Sequence, residues 1–187
     1  MARPLSEDKQ QAILTAASRI IAVEGAGATT AHIARQAGVA AGSLFTYYPT
    51  KDALLNALYL HLKTEVAQVL LSGFPEDAAP RVRALHIWTR YIGWALAEPE
   101  KRKAMEQLTL SHRISAETLA AAAAGMGAIG RGVRDCLPSH SAISSEFAAA
   151  MMTALLAVVI DFAEREPQQK EAHIANGFEA LWRALAQ

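Results

Sequence analysis

A chain of 187 residues with 52% hydrophobic side chains can bury a substantial core, which excludes disorder as its overall description. Its 18 basic and 18 acidic residues cancel, so no overall positive field marks a partner, and the lone Cys136 permits no internal disulfide, as expected in a reducing cytoplasm. The opening MARPLSEDKQ contains no apolar signal stretch, and the greasy run 147–160, bounded by Glu146 and Asp161, reads as too short to cross a bilayer, so no membrane partner is expected.

Ser6 followed by Glu7 and Asp8 predicts a helix start with acids in the first turn. That helix runs to about Val23, buries Ile13, Ala17, Ile20 and Ile21, and ends at Glu24-Gly25-Ala26-Gly27. Arg3 ahead of it either reaches a minor groove, as flexible basic arms do, or belongs to a disordered tail.

The stretch 29–51, TTAHIARQAGVAAGSLFTYYPTK, organises the rest. Thr29 or Thr30 caps a short helix whose Ile33, Ala34 and Ala37 share one face. Gly38 frees the backbone to turn sharply, and Val39 points back to Ile33. A second helix, 41–48, buries Leu44 and Tyr48 and is stopped by Pro49, leaving Ala41, Ser43, Phe45, Thr46 and Tyr47 available to something outside. Two short helices joined this way form a helix-turn-helix, whose second helix enters the DNA major groove. Small Ala34 lets the two axes cross closely.

These residues resemble the tetracycline-repressor (TetR) family of transcriptional regulators over roughly residues 8–62. The resemblance rests on the doubled Thr29-Thr30, on Ile33-Ala34, on Ala37-Gly38-Val39, and then on Gly42, Leu44, Tyr47-Tyr48, Lys51 and Leu54. It implies that Thr30, Tyr47 and Lys51 contact phosphates. It also implies that Ala31, Ala41, Gly42, Ser43, Phe45 and Thr46 face base edges. Where relatives often carry a polar or basic residue this chain has Ala41, and where Tyr is common it has Phe45. Fewer hydrogen-bonding groups then reach the bases, so readout leans on Ser43, Thr46, contacts with thymine methyls and DNA shape. A net +2 over residues 1–63, against −2 for the remainder, supplies a modest field that two copies acting on one DNA would double.

Thr50 caps a long helix opening at Lys51, in which Leu54, Leu55, Leu58, Leu62, Val66 and Leu70 recur at helical spacing. Ser72-Gly73-Phe74-Pro75, with Pro80 beyond, is the clearest boundary. After it the pattern is helical throughout. Helices are expected over 81–97 (Leu85, Trp88, Ile92 and Ala95 on one face), over 100–112, from Ser115 through an alanine run toward Cys136, over 145–165, and over 168–185 with Ile174, Phe178, Leu181 and Leu185 in line. Leu137-Pro138-Ser139 breaks the third of these five. The 145–165 helix carries Phe147, Met151, Leu155, Val158 and Phe162 on one side and Met152, Leu156 and Val159 on the other, so both sides need cover.

The fold expected is all-α with about nine helices. A helix-turn-helix domain (1–50) and a connecting helix (51–72) lead into a ligand-binding and dimerisation domain (73–187). Gly125, Gly127 and Gly130 match G-x-G-x-x-G literally, but that fingerprint requires a strand before it, and here an alanine-rich helix precedes it. His32, His61, His86, His112, His140 and His173 fall at no metal-ligand spacing and no nucleophile elbow is present, so neither an enzyme nor a cofactor is expected.

The effector domain that the resemblance implies suggests an apolar pocket drawn from Trp88, Tyr91, Met105, Leu108, His112, Met126 and Phe162. One recognition helix contacts few base pairs, so a twofold dimer reading a palindrome is expected. Its interface is placed on the last two helices as a four-helix bundle, through Met152, Leu156, Val159, Phe178, Leu181 and Trp182. The reading is a repressor that leaves its DNA operator when a small, largely apolar effector binds, with helix 51–71 as lever. The alternative is a DNA-binding regulator controlled by a protein partner, favoured by the lack of a cavity between residues 81 and 165.

Overall fold

Short hydroxyl side chains set where many of the helices begin. In the computed structural model, which describes residues 6–127 and 144–185, backbone N–H groups of first turns are taken up by Ser6 Oγ (from Lys9, 3.5 Å), Thr29 Oγ1 (from His32, 3.2 Å), Thr50 Oγ1 (from Ala53, 3.0 Å), Ser115 Oγ (from Thr118, 3.2 Å) and Ser144 Oγ (from Phe147, 3.2 Å). Each satisfies a donor that the helix cannot pair internally.

The helices, in chain order, are α1 (Glu7–Glu24), α2 (Thr30–Gln36), α3 (Ala41–Tyr47), α4 (Lys51–Leu71), α5 (Pro80–Ala97), α6 (Pro99–Leu110), α7 (Ala116–Gly125), α8 (Ser145–Arg165) and α9 (Lys170–Leu185). Short 3₁₀ turns, Gly25–Gly27 and Pro167–Gln169, follow α1 and α8. Among the described residues there are nine α-helices and no strand, so the fold is all-α as expected. Arg3, Gly130, Cys136, His140 and the 137–139 break lie outside the described residues.

Two compact units emerge, and they do not follow the boundaries expected from the sequence. The first joins the described residues up to Glu65 with Glu98–Ala124, so α6 and α7, expected in the C-terminal domain, group with the helix-turn-helix. The reason is packing. α6 lies along α1, so buried Ala104, Met105 and Leu108 meet the helix that buries Ile13, Ala17 and Ile21. Within this unit α1 also packs on α2, and α2 on α3.

The second unit joins Val66–Ala97 to the described residues from Gly125 onward. The helix α4 therefore begins in the first and ends in the second. Its leucines at 54, 55, 58, 62 and 70, with Val66, are all buried, as their spacing predicts. At its C-terminus the carbonyls of Val69 and Leu70, left unpaired by the end of the helix, accept from Arg90 Nε (3.2 Å) and His86 Nε2 (3.0 Å) on α5. The centre of this unit is Trp88, 1% exposed, whose Nε1 donates to the Ile174 carbonyl at 2.9 Å.

The helix α8 packs against α9 and α5. It is longer than the greasy run alone suggested. Glu146–Arg165 reaches the length and mean hydropathy of a membrane span by composition, so shortness does not exclude that role. Its two apolar sides are used differently. Leu156, Val159, Ile160 and Ala163 are buried, while Phe147, Val158 and Phe162 are exposed.

Candidate nucleic-acid interface

The turn between α2 and α3 is built by hydrogen bonds that only glycine conformation allows without strain. Gly38 has φ +67°, its N–H reaches Arg35 O at 3.2 Å, and Val39 N–H reaches Ala34 O at 3.0 Å. This pair of hydrogen bonds closes the end of α2 and turns the chain sharply into α3. Ile33, Ala34 and Leu44 are essentially fully buried, and each large side chain of that kind contributes about 1.5–3 kcal/mol. Leu44 and Tyr48 pin one side of α3 inward, as predicted, so the other side faces out. Ala41, Gly42, Phe45 and Thr46 are exposed, Ser43 is half-buried, and at the start of α2 Ala31 is exposed and Thr30 half-buried.

Chemically this is a nearly smooth recognition surface. Ala41 and Gly42 add almost nothing beyond backbone, and the exposed Phe45 ring offers an apolar edge. Thr46 Oγ1 donates to the Gly42 carbonyl at 3.4 Å, so its hydroxyl presents lone pairs and its methyl outward.

The flanking polar groups are held by the fold. Tyr47 hydroxyl accepts the Ser6 N–H at 3.1 Å, which leaves its own proton to donate outward. Lys51 Nζ donates to the Gly27 carbonyl at 2.9 Å, keeping two of its three protons for another acceptor. Tyr48 differs from its neighbour. Burial pushes its phenol up from the ordinary range, with Gln10 pulling back, and the hydroxyl reaches no partner at hydrogen-bonding geometry. Tyr48→Phe is therefore expected to change stability by less than about 1 kcal/mol in urea unfolding, since it removes a buried group that forms no bond.

One contributor at this surface carries no local signature. Arg113, in the loop after α6, pairs with Asp52 at 2.6 Å and donates to the Ala26 carbonyl at 3.4 Å. Asn56 fastens the same loop, accepting from Ser115 N–H at 2.8 Å and donating to the Arg113 carbonyl at 3.3 Å. Partners 57 to 87 positions apart leave no periodicity or spacing from which to find them.

The residues expected to line an effector pocket have different settings on their own helices. Met105 and Leu108 are buried on the helix that meets α1, and Trp88 is a core ring, because each sits on the packed side of its own helix. Tyr91 is half-buried beside Trp94, His112 is exposed in a turn at φ +55°, Met126 is half-buried just beyond α7, and Phe162 is exposed. An open groove of about 680 Å³ runs along α1 and α2, lined in part by Thr15, Arg19, Val23, His32 and Gln36. In the second unit a cleft of about 20 Å³ between Ile87, Met152, Phe178 and Trp182 has room for no more than a water.

The residues expected at a dimer interface lie mostly in the protomer core. Leu156, Val159, Phe178 and Leu181 are buried inside the protomer, and Met152 and Trp182 are half-buried at the same core. The side of α8 that faces out is the opposite one, Phe147, Val158 and Phe162.

Residues 13–58 match the profile of the bacterial regulatory proteins, tetR family. Over its length the chain is similar to a TetR family transcription regulator from Shewanella sp. PV-4, at 26% identity, 96% of this chain, 98% of that one and a TM-score of 0.85. A TetR family regulator from Marinobacter aquaeolei VT8 shares the fold at 23% identity, 97% of each chain and a TM-score of 0.80. So does the regulator FadR from Bacillus subtilis, solved with stearoyl-CoA, at 16% identity, 95% of this chain, 98% of that one and a TM-score of 0.70. With a glycine-turned helix pair presenting one bare helical face, and with this profile and these likenesses, the chain belongs to the tetR family of DNA-binding transcriptional regulators.

Proposed function

We propose that this regulator works as a cytoplasmic homodimer, repressing from a palindromic operator and leaving it when a small, largely apolar effector binds. The observation that carries the DNA part is the outward face of α3, where Ala41, Gly42, Phe45 and Thr46 are exposed between the Tyr47 hydroxyl and the Lys51 ammonium. Thr30, Tyr47 and Lys51 hold phosphates, and Ala31 and Ser43 face base edges with Ala41, Gly42, Phe45 and Thr46. The dimer is supported by the exposed strip Phe147, Val158 and Phe162 on α8, an apolar line that a second copy related by a twofold axis would cover. An apolar effector is supported by the stearoyl-CoA bound to a protein of the same fold. The narrow cleft in the second unit favours the second reading, control by a protein partner.

The test starts from a duplex selected by the protein out of a randomised pool. Lys51→Ala is expected to weaken binding to every duplex and to flatten the salt dependence by about one phosphate, near 0.9 in log–log slope. Thr46→Ala is expected to alter which base is preferred and leave that slope unchanged. Failure to select any duplex would sink the DNA reading. If the selected duplex were held equally tightly across a broad metabolite screen, the effector reading would give way to the partner reading.

A further inference from the structure

At the start of α4 two cations feel the charge of one carboxylate, Asp52. Lys51 Nζ bonds the Gly27 carbonyl at 2.9 Å, Arg113 Nη1 bonds the adjacent Ala26 carbonyl at 3.4 Å, and Arg113 Nη2 lies 2.6 Å from Asp52. Since neighbouring carbonyls receive them, the ammonium and the guanidinium stand close together on the 3₁₀ turn that leads into Thr29 and Thr30. Asp52 acts on both charges there, and both side chains are partly exposed.

We infer that Arg113, a residue outside the helix-turn-helix, completes with Lys51 a seat for a backbone phosphate of the bound DNA. Asp52 occupies part of that seat in the free protein. This rests on the DNA reading above and adds a contact from the α6–α7 loop. Three observations converge on it. The guanidinium fork has five donors, of which Asp52 and Ala26 engage only a part. Burial, and then the Arg113 charge, hold the Lys51 ammonium below its ordinary range, with Asp52 opposing, so an added anion relieves a repulsion already present. Asn56 anchors the loop on both sides of Ile114, through the Arg113 carbonyl and the Ser115 N–H, which keeps Arg113 at this position.

The test measures affinity for the selected duplex and for an unrelated duplex from low to high salt, with wild type, Arg113→Ala, Arg113→Lys and Asp52→Asn. Arg113→Ala is expected to lose about one phosphate contact, a slope smaller by about 0.9, on both duplexes alike. Arg113→Lys, which keeps the charge without the fork, restores the slope. Asp52→Asn removes the competing anion and raises affinity severalfold at low salt. An unchanged slope in Arg113→Ala, or weaker binding in Asp52→Asn, would show Arg113 to be only a strut between loop and helix and would overturn the inference. An Arg113-dependent rise in melting temperature with inorganic phosphate, alongside an unchanged DNA slope, would also overturn it by assigning a free-anion site. Wild type that binds no duplex removes the DNA reading itself, a result distinct from all of these.

Discussion

Gly42→Glu is expected to abolish operator binding while leaving the protein at least as stable as before. Gly42 sits in the first turn of α3, and a β-carbon built there meets nothing within 4 Å. Its backbone is outside the left-handed region, so a side chain brings no strain. Glutamate gains roughly 0.5 kcal/mol or more over glycine in helix propensity, and a carboxylate near a helix N-terminus adds about 0.3–1 kcal/mol. Thermal denaturation should show a melting temperature equal to or above wild type. On DNA the sign reverses, because each half-site receives a carboxylate among phosphates, and like charges juxtaposed at an interface cost several kcal/mol. Fluorescence anisotropy with the selected duplex should show at least a hundredfold loss. Wild-type affinity in this variant would mean that α3 does not enter the groove.

Trp88→Ala is expected to cost about 3–5 kcal/mol, a large fraction of the roughly 5–15 kcal/mol that keeps such chains folded. The ring is buried, bonded to the Ile174 carbonyl at 2.9 Å and tilted against Phe178 with centroids 6.3 Å apart. Its fit depends on Gly177. A β-carbon there would come within 2.9 Å of Trp88 Cζ2 and 2.4 Å of Val159 Cγ2. Alanine in place of a helical glycine ordinarily stabilises by about 1 kcal/mol, but overpacking a filled core costs about 1–3 kcal/mol. Gly177→Ala is accordingly expected to be destabilising, and urea unfolding of both variants checks the pair. A neutral Trp88→Ala would mean that α5, α8 and α9 do not share this core.

The helix starts at Ser6, Thr50 and Ser115, and the turn at Gly38, were legible because caps and turns depend on residues a few positions apart, and the choice of Thr29 over Thr30 came with the structure. So was the inward side of α3, since Leu44 and Tyr48 lie about one turn apart and are buried. The grouping of α6 with the DNA-reading head was not, because its apolar face would serve equally well against any helix. Pocket residues were not legible for a related reason. A large apolar side chain at helical spacing is required by a core and by a cavity alike, and Met105, Leu108 and Trp88 went to the core.

By itself, then, the sequence determined an all-helical chain with a helix-turn-helix near its start and the residues that its second helix turns outward. Local hydrogen bonding and a one-sided apolar pattern suffice for that. Only the tertiary structure decided which side of α8 faces its neighbours and that Arg113 meets Asp52 and Ala26. A helix apolar on both sides contains no instruction about which to bury, and an ion pair between distant residues exists only once the intervening helices have packed.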